Sequence, residues 1–431
     1  MPDSPDRSPP LGAAFFRVLL VQLLSTLADN AFLIVAIARV IELGEAAWLI
    51  PILKVSATFF YVALAPFVGP IADAMPKGRV MLLANGFKCC AIGLLLLGLD
   101  PVLVIGLAGV GAAVYAPAKY GLVTELVPGS ALVRANGYFE AVTVCAVVFG
   151  VVLGGFLVSL FMPVLGLGWM VTGADQPSPL TTGVLVVMVL HGAATMGSWG
   201  LADSRARYAP QPWKLSAMCR AFVAENRMLW RDPLGGVSLA VTTLLWGAGA
   251  TLQLVVLRWA TESLALPLSQ ASYLQGMSAV GIVLGAALAS RWVAMRHAAR
   301  LLPLGVVLGA SIPMLLLVHT VPIAALLLVY VGALAGFFVV PMNALLQLRG
   351  CTLLTAGRSV AVQGFNENAG MLLMLLLYAA GTAYGIAVPA LVIGFGICVG
   401  GSMALLWWAK HRHLGDPVPA DSPKIHQEVT E

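Results

Sequence analysis

Four ionisable residues interrupt otherwise apolar runs: Asp29, Lys119, Glu140 and Glu367. Asp29 stands beside Asn30 inside Leu-Leu-Ser-Thr-Leu-Ala-Asp-Asn-Ala-Phe-Leu. Lys119 follows Pro117, with Tyr115 one turn before it; Glu140 lies one turn after Asn136. Glu367 lies one turn after Gln363 and is followed by Asn368. A charge at a bilayer centre costs at least ~2.5 kcal/mol on insertion scales, so such residues must face the protein interior. Acids there can hold an ammonium, while Lys119 or Arg258, the latter preceded by Gln253, can hold a phosphate or carboxylate. A pocket with both signs of charge suits a zwitterionic or anionic polar group better than a neutral sugar. The plainer alternative is that these groups pair with one another and only hold helices together. Their number in one chain disfavours that role for all of them. Lys54 and Lys88 lie near the ends of apolar runs and read as structural, snorkelling to the interface.

The elements that must position these residues follow from composition. Of the 431 residues 60% are hydrophobic and only 10% charged, and the mean hydropathy is +0.94. A soluble domain carries about 25% charged residues. Long apolar runs in lipid must be helices, because nothing outside the helix can bond the backbone, and about 20 residues suffice to span. Splitting the runs at polar or turn-rich punctuation predicts twelve spans: 14–40, 48–71, 80–99, 101–124, 136–161, 180–200, 236–260, 271–295, 301–319, 321–348, 358–382 and 386–409. The expected organisation is a disordered tail (1–13), a six-helix half (14–200), a basic linker (201–235), a second six-helix half (236–409) and a polar tail (410–431). The linker carries Arg205, Arg207, Lys214, Arg220, Arg227 and Arg231, and its Trp213 and Trp230 suggest that it lies along the membrane surface. The acids and prolines of the first ten residues do not resemble a signal peptide.

Charge asymmetry orients the bundle. With both termini cytoplasmic, Arg39, Lys54 and Arg258 are the only ones of the 24 basic residues in or near outward segments. The outward connections near Asp100, Asp175, His319 and Gly385 have no Lys or Arg. The net charge of +5 is then a topological feature and implies no nucleic acid.

The chain also repeats itself. Pro117, Lys119 and Leu122 recur as Pro341, Asn343 and Leu346, an offset of 224 residues. Asn136-Gly137-Tyr138-Phe139-Glu140 recurs as Gln363-Gly364-Phe365-Asn366-Glu367, now offset by 227. Two halves related by an axis along the membrane normal form the frame of many secondary transporters. The expected fold is an all-α membrane protein of the major facilitator type, with twelve helices in two pseudo-symmetric halves. After the second span, Gly69, Asp73, Lys77, Gly78 and Arg79 match the facilitator loop pattern Gly-x-x-x-Asp followed by a Gly-Arg turn, with an Asp-to-Gly gap two residues longer than usual. An acid at a helix end beside basic residues can latch two spans in one conformation and release them in another. The corresponding second-half loop has Arg291, Arg296 and Arg300 but no acid, so the latch is expected on one side only. Gly150/Gly154, Gly281/Gly285 and Gly332/Gly336 are expected to let helices approach closely.

Enzymatic signals are weak. The sequence has no metal cluster, phosphate loop, dinucleotide fingerprint or Ser-His-Asp order, and no cofactor or metal is expected. Its six cysteines are scattered and read as small packing residues. His411 and Asp416 have the His-x4-Asp spacing of lipid acyltransferases, but they follow the last span, outside any folded pocket.

Longer strings carry a closer resemblance. Leu-Ala-Asp-Asn-Ala-Phe (27–32), Ala-Pro-Ala-Lys-Tyr-Gly (116–121), Leu-Trp-Gly-Ala-Gly (245–249), Gly-Phe-Phe-Val-Val-Pro-Met-Asn-Ala-Leu-Leu-Gln (336–347) and Glu-Asn-Ala-Gly-Met-Leu-Leu-Met (367–374) resemble the bacterial lysophospholipid transporters, in order across nearly the whole membrane domain. The resemblance implies movement of lysophosphatidylethanolamine and lysophosphatidylglycerol across the bacterial inner membrane to the cytoplasmic leaflet. There a partner lysophospholipid acyltransferase, an acyl-carrier-protein synthetase, re-esterifies them. It further implies that Asp29 and Asn30 meet the head group, Lys119 its phosphate, and that Glu140 and Glu367 shape or gate the cavity. One departure is that the family pattern has Arg where this chain has Gln253, with Arg258 a little over one turn later. The alternatives are a proton-coupled symporter or exporter of another amphiphilic or charged solute, and a membrane acyltransferase.

Overall fold

The described part of each predicted span folds as a helix or a short series of helices in the computed structural model. It describes residues 11–45, 49–158, 179–201, 203, 204, 206, 208, 214–266 and 268–413. Arg205, Arg207 and Trp213 of the linker, Asp175, Asp416 and both chain ends lie outside the described residues. The first half comprises α1 (Ala13–Glu42), α2 (Leu49–Ala63), α3 (Ala65–Ala74), α4 (Lys77–Gly93), α5 (Pro101–Leu126), α6 (Leu132–Val158) and α7 (Pro179–Trp199). A connecting helix, α8 (Leu215–Arg231), precedes the second half. That half comprises α9 (Pro233–Ser263), α10 (Leu268–Trp292), α11 (Leu302–Ser311), α12 (Val321–Leu353), α13 (Ala356–Ala383) and α14 (Val388–His413). No strand occurs among the described residues.

Among the described residues, eleven spans are long and apolar enough to cross a membrane, and α2 with α3 makes a twelfth that bends by 65°. The bend has a local cause: Pro66 at the start of α3 removes a backbone donor, and Pro70 interrupts the helix again. α11 continues at both ends as 3₁₀ turns, Met295–Leu301 and Pro313–Leu317. Asp100 caps α5 by accepting from the Val102 and Leu103 N–H groups at 2.8 and 3.1 Å. Asp232 caps α9 through the Gly235 N–H at 2.7 Å, and each helix has a proline in its first turn, where no donor is lost.

The two halves pack alike. α1 lies against α6 as α9 lies against α13, α2 against α5 as α10 against α12, and α4 against α7 as α11 against α14. Glycines set the closest seams. A Cβ at Gly281, Gly285, Gly332 or Gly336 would come within 2.0–2.2 Å of the facing backbone between α10 and α12. Gly150 and Gly154 of α6 meet α1 in the same way, at Leu27, Asn30, Ala31 and Ile34.

Between halves the pairing is again two-fold: α6 lies on α10, and α13 lies on α2 and α3. Several of these contacts fall at the end of the bundle that carries α8. Gly137 faces Ser290, Gly129 approaches Leu348 and Gly69 faces the Arg358 backbone. The molecule is closed there.

Candidate functional site

At the closed end the predicted latch joins the halves. The Asp73 carboxylate, at the end of α3, accepts from Lys77 Nζ at 2.9 Å and the Gly357 N–H at 3.1 Å, and it also accepts from the Thr355 hydroxyl. Thr355 and Gly357 open α13, so the first half grips the N-terminus of a second-half helix, where backbone donors are unpaired. A Cβ on Gly69 would lie 2.9 Å from the Arg358 Cα, so the close approach needs glycine. Lys77 also pairs with Glu125 of α5 at 2.9 Å, Gly78 packs on Leu201, and Arg79 is exposed. Although the second-half loop lacks an acid, its side of the closure is not without ion pairs, because α8 supplies Glu225 to Arg358 and Asp232 supplies a second pair with Arg349. Burial alone would raise the Asp232 carboxyl. Hydrogen bonds from Arg349 and the Gly235 N–H, with the Arg349 charge, instead hold it below the usual carboxylate range.

Deeper in the first half, Asp29 is the centre of a polar cluster. Its Oδ1 and Oδ2 accept from Lys88 Nζ at 2.9 and 2.8 Å, and His191 Nε2 stands 3.0 Å from Oδ1. Lys88 spends its third donor on Ser25 Oγ at 2.7 Å, and Ser25 donates to Asn85 at 2.8 Å. Lys88 and His191 are fully buried, while 36% of the Asp29 side chain is open to the interior space. Lys88 therefore does not snorkel. α4 begins at Lys77, which puts Lys88 mid-helix, and the nearest anion is Asp29 on α1. Both cluster partners were missed in the sequence. A lysine and a histidine, each flanked by apolar residues within a span, were the available signals.

Lys119, Glu140 and Glu367 form the second group. Counted from the helix ends at the closed side, Lys119, Glu140 and Glu367 lie 7, 8 and 11 residues in, at depths of about 10–17 Å for a 1.5 Å rise per residue. Lys119 is 7% exposed, and its Nζ lies 4.1 Å from the Tyr120 ring centroid and 5.6 Å from that of Tyr115. Tyr115 also stands 5.2 Å from Lys88 Nζ, so its ring separates the two ammonium groups. Asp29, Glu140 and Glu367 are within electrostatic range of Lys119, yet it forms no ion pair among the described residues. Glu367 Oε1 accepts from Gln363 Nε2 at 2.8 Å, and Gln363 also reaches Asn343 at 3.2 Å.

The remaining predicted ligands separate from this group. Asn136 exchanges hydrogen bonds with Gln347 at 2.8 and 3.0 Å, a contact between halves that uses up its amide. Asn30 and Asn368 turn back on their own helices, to the Thr26 and Gly364 carbonyls. Arg258 lies 25 residues along α9 from the closed end and pairs with Glu262 at 2.7 Å. It stands nowhere near the depth of Lys119, because α9 runs straight past that level. Gln253 is exposed, and its carbonyl accepts from Gln275 at 2.9 Å. No group of three or more His, Cys, Asp or Glu suited to a metal occurs among the described residues.

A chain of two related helical halves has counterparts among known proteins. The sequence profile of the Major Facilitator Superfamily matches residues 18–350. The lysophospholipid transporter LplT of Salmonella arizonae is 38% identical over 397 residues, 92% of this chain and 95% of that protein. The chain belongs to the lysophospholipid transporter family of the major facilitator superfamily. The family's LplT of Yersinia enterocolitica is likewise 38% identical, over 383 residues, 89% of this chain and 90% of its own. Among solved structures, the human organic anion transporter MFSD10 superposes with a TM-score of 0.70 at 13% identity, covering 93% of this chain and 99% of that one, a likeness of fold alone. Within this facilitator fold, the Asp29 cluster joins α1, α4 and α7 of the first half, while Lys119 and Glu140 of that half lie within electrostatic range of Glu367 of the second.

Proposed function

We propose that this chain carries lysophospholipids, lysophosphatidylethanolamine and lysophosphatidylglycerol among them, across the bacterial inner membrane toward the cytoplasmic leaflet. It acts as a transporter and not as an enzyme, and an acyltransferase that re-esterifies lysolipids consumes what it delivers. Both termini are cytoplasmic in this reading, so the α8 end faces the cytoplasm and the described conformation opens outward. The observation that carries the reading is Lys119, a buried ammonium with no carboxylate partner within ion-pair distance among the described residues. A buried unpaired charge is costly unless something else neutralises it, and a lipid phosphate entering between the halves would do so. The relatives named as lysophospholipid transporters point to that lipid class. The single acyl chain need not enter the polar interior, since it can stay in lipid through a gap between helices.

The test is uptake of labelled lysophosphatidylethanolamine into bacterial spheroplasts lacking their own transporter. The wild-type chain should support uptake, and Lys119→Met should lower it by about tenfold or more, the worth of one charge-assisted phosphate contact. No uptake above background by a well-expressed wild-type chain would overturn the proposal.

A further inference from the structure

The helix that joins the halves carries charge that neither the latch nor the interior uses. At about 100° per residue, Arg220, Arg227 and Arg231 of α8 fall within about 40° of one another around the helix. All three are exposed, and Val223 and Met228 stand exposed on either side of the row. The opposite face is the packed one, where Met218, Phe222, Glu225 and Leu229 are buried. Glu225 spends its charge inward, on Arg358. None of the three arginines has an ion pair among the described residues. Arg227 and Arg231 lie one turn apart, a spacing at which like charges weaken a helix. A cytoplasmic position accounts for basic residues in this linker. It does not account for their sharing one face, with apolar residues beside them and no acid.

The row forms one wall of an open groove of about 740 Å³, the size of a site for a small organic ligand. Val223, Met228 and Leu353 give the groove its apolar surface. Asp232 is the one acid in its wall among the described residues, and Arg349 with the Gly235 N–H already occupies both carboxylate oxygens. The depth of the groove is set by two other residues. Pro233 opens the span α9 and Leu353 closes the span α12. The groove therefore lies where spans leave the hydrocarbon and lipid head groups begin. Trp230, on its flank and partly exposed, is of the type enriched at that level. An acidic protein would meet the arginines but would make no use of apolar surface at the ends of two spans. A phospholipid uses both, with its phosphate on guanidinium groups and its glycerol and upper acyl chain on Val223, Met228 and Leu353.

We infer that this groove binds an anionic phospholipid of the leaflet against which α8 lies, its phosphate shared by Arg227 and Arg231 and drawn also by Arg220 farther along the helix. That leaflet is the cytoplasmic one in the orientation proposed above. The lipid is a resident of the membrane and not the molecule transported. The groove lies on the face of α8 turned away from the bundle, and Asp29, Lys119, Glu140 and Glu367 are not in its wall. A bound phosphate neutralises the row, relieves its repulsion and seats α8 at the membrane surface, where its other face holds α13.

The test is native mass spectrometry of the purified full chain, titrated in detergent with phosphatidylglycerol or with phosphatidylcholine of the same acyl chains. A polyglutamate peptide serves as the probe for an acidic protein. The wild-type chain should hold phosphatidylglycerol about a hundredfold more tightly than phosphatidylcholine. Arg220→Gln, Arg227→Gln and Arg231→Gln should each weaken that binding about fivefold, and the three together about a hundredfold. Lysine at the same three positions keeps the charge and should keep most of the binding. Arg291→Gln, Arg296→Gln and Arg300→Gln together remove as much exposed charge elsewhere, and should leave the binding within about twofold. Equal retention of the two lipids by the wild-type chain, or equal loss in the two triple glutamine variants, would overturn the site. So would a triple lysine variant that loses as much as the glutamine one. Polyglutamate held through the same arginines, with no preference between the lipids, would assign the row to an acidic protein instead. A chain that holds phosphatidylglycerol as expected but takes up no lysophospholipid would remove the transport reading and leave the groove in place.

Discussion

At the scale of single residues, the Asp29–Lys88 pair is the most consequential contact. Removing one member of a fully enclosed pair costs about 3–5 kcal/mol, because the other charge is left unpaired. Asp29 is 36% open, so water relieves part of that burden. Lys88→Met is expected to destabilise the protein by about 1–3 kcal/mol. Thermal unfolding in detergent should show a lower midpoint, and adding Asp29→Asn should restore most of it. An unchanged midpoint in the single variant would mean that the pair carries no stability. The acid was legible in the sequence and its partners were not. Asp29, Lys119, Glu140 and Glu367 stand out because a charge in an apolar run must face the protein interior. Lys88 falls near the middle of the span whether that starts at residue 80 or, as α4 does, at Lys77, so reading it as a span-end lysine was an error of placement that the sequence itself could have corrected. A lone histidine such as His191 says nothing of which helix it faces.

At the scale of elements, glycine spacing decides how near the helices come. Gly285 of α10 and Gly155 of α6 are both helical glycines, yet a Cβ on Gly285 would lie 2.0 Å from the Ala333 carbonyl oxygen, while one on Gly155 would meet none of the described residues within 4 Å. Gly285→Ala should destabilise by about 1–3 kcal/mol, the cost of forcing a packed seam apart, and should broaden the size-exclusion profile of the purified protein. Gly155→Ala should match wild type or slightly exceed it, since alanine is the better helix former. Equal behaviour of the two would show that the seam can give. The spacing in the sequence was sufficient to expect these seams, because two glycines four apart must share a helix face. The 65° bend between α2 and α3 was not legible in the same way. Hydropathy sums over a window and is blind to a missing backbone donor at Pro66. The same blindness hides the 3₁₀ turns that flank α11.

At the scale of the molecule, the halves meet at the end that carries α8, and Asp73 is the acid that joins them most directly. Asp73→Asn keeps the shape but loses the ion pair with Lys77 and weakens the bonds to Thr355 and Gly357. A loss of about 2 kcal/mol at this one end would shift the balance of conformations by roughly 30-fold toward the state open there. Spin labels at Leu99 and Thr320, in turns at the opposite end, should then show a larger population with shorter separations. An unchanged distance distribution would remove Asp73 from the latch. The internal repeat in the sequence was enough to foresee two halves, since Pro117 and Pro341 fall at matching places in α5 and α12. Which end is closed was not, because the same sequence must support both states and the pattern of apolar residues is common to them.

The connecting helix α8 packs on α3 of the first half and on α9 and α13 of the second, but its polar ties run to one side. Trp230 donates to Asn366 at 3.0 Å, Asn366 to Asn226 at 2.8 Å, and Glu225 pairs with Arg358, all on α13. On the other side of the crossing, Tyr208 bonds Glu125 of α5 at 2.7 Å. The passage from one half to the other thus lies between Tyr208 and Leu215. If the gene were divided to make two separately expressed polypeptides, a cut ahead of Leu215 would leave each fragment with all of these ties intact. A cut after Arg231 would leave α8 only its packing on α3 of the first half, and would strip α13 of its polar partners. The chain is one transporter written as two unequal pieces, with the boundary ahead of α8.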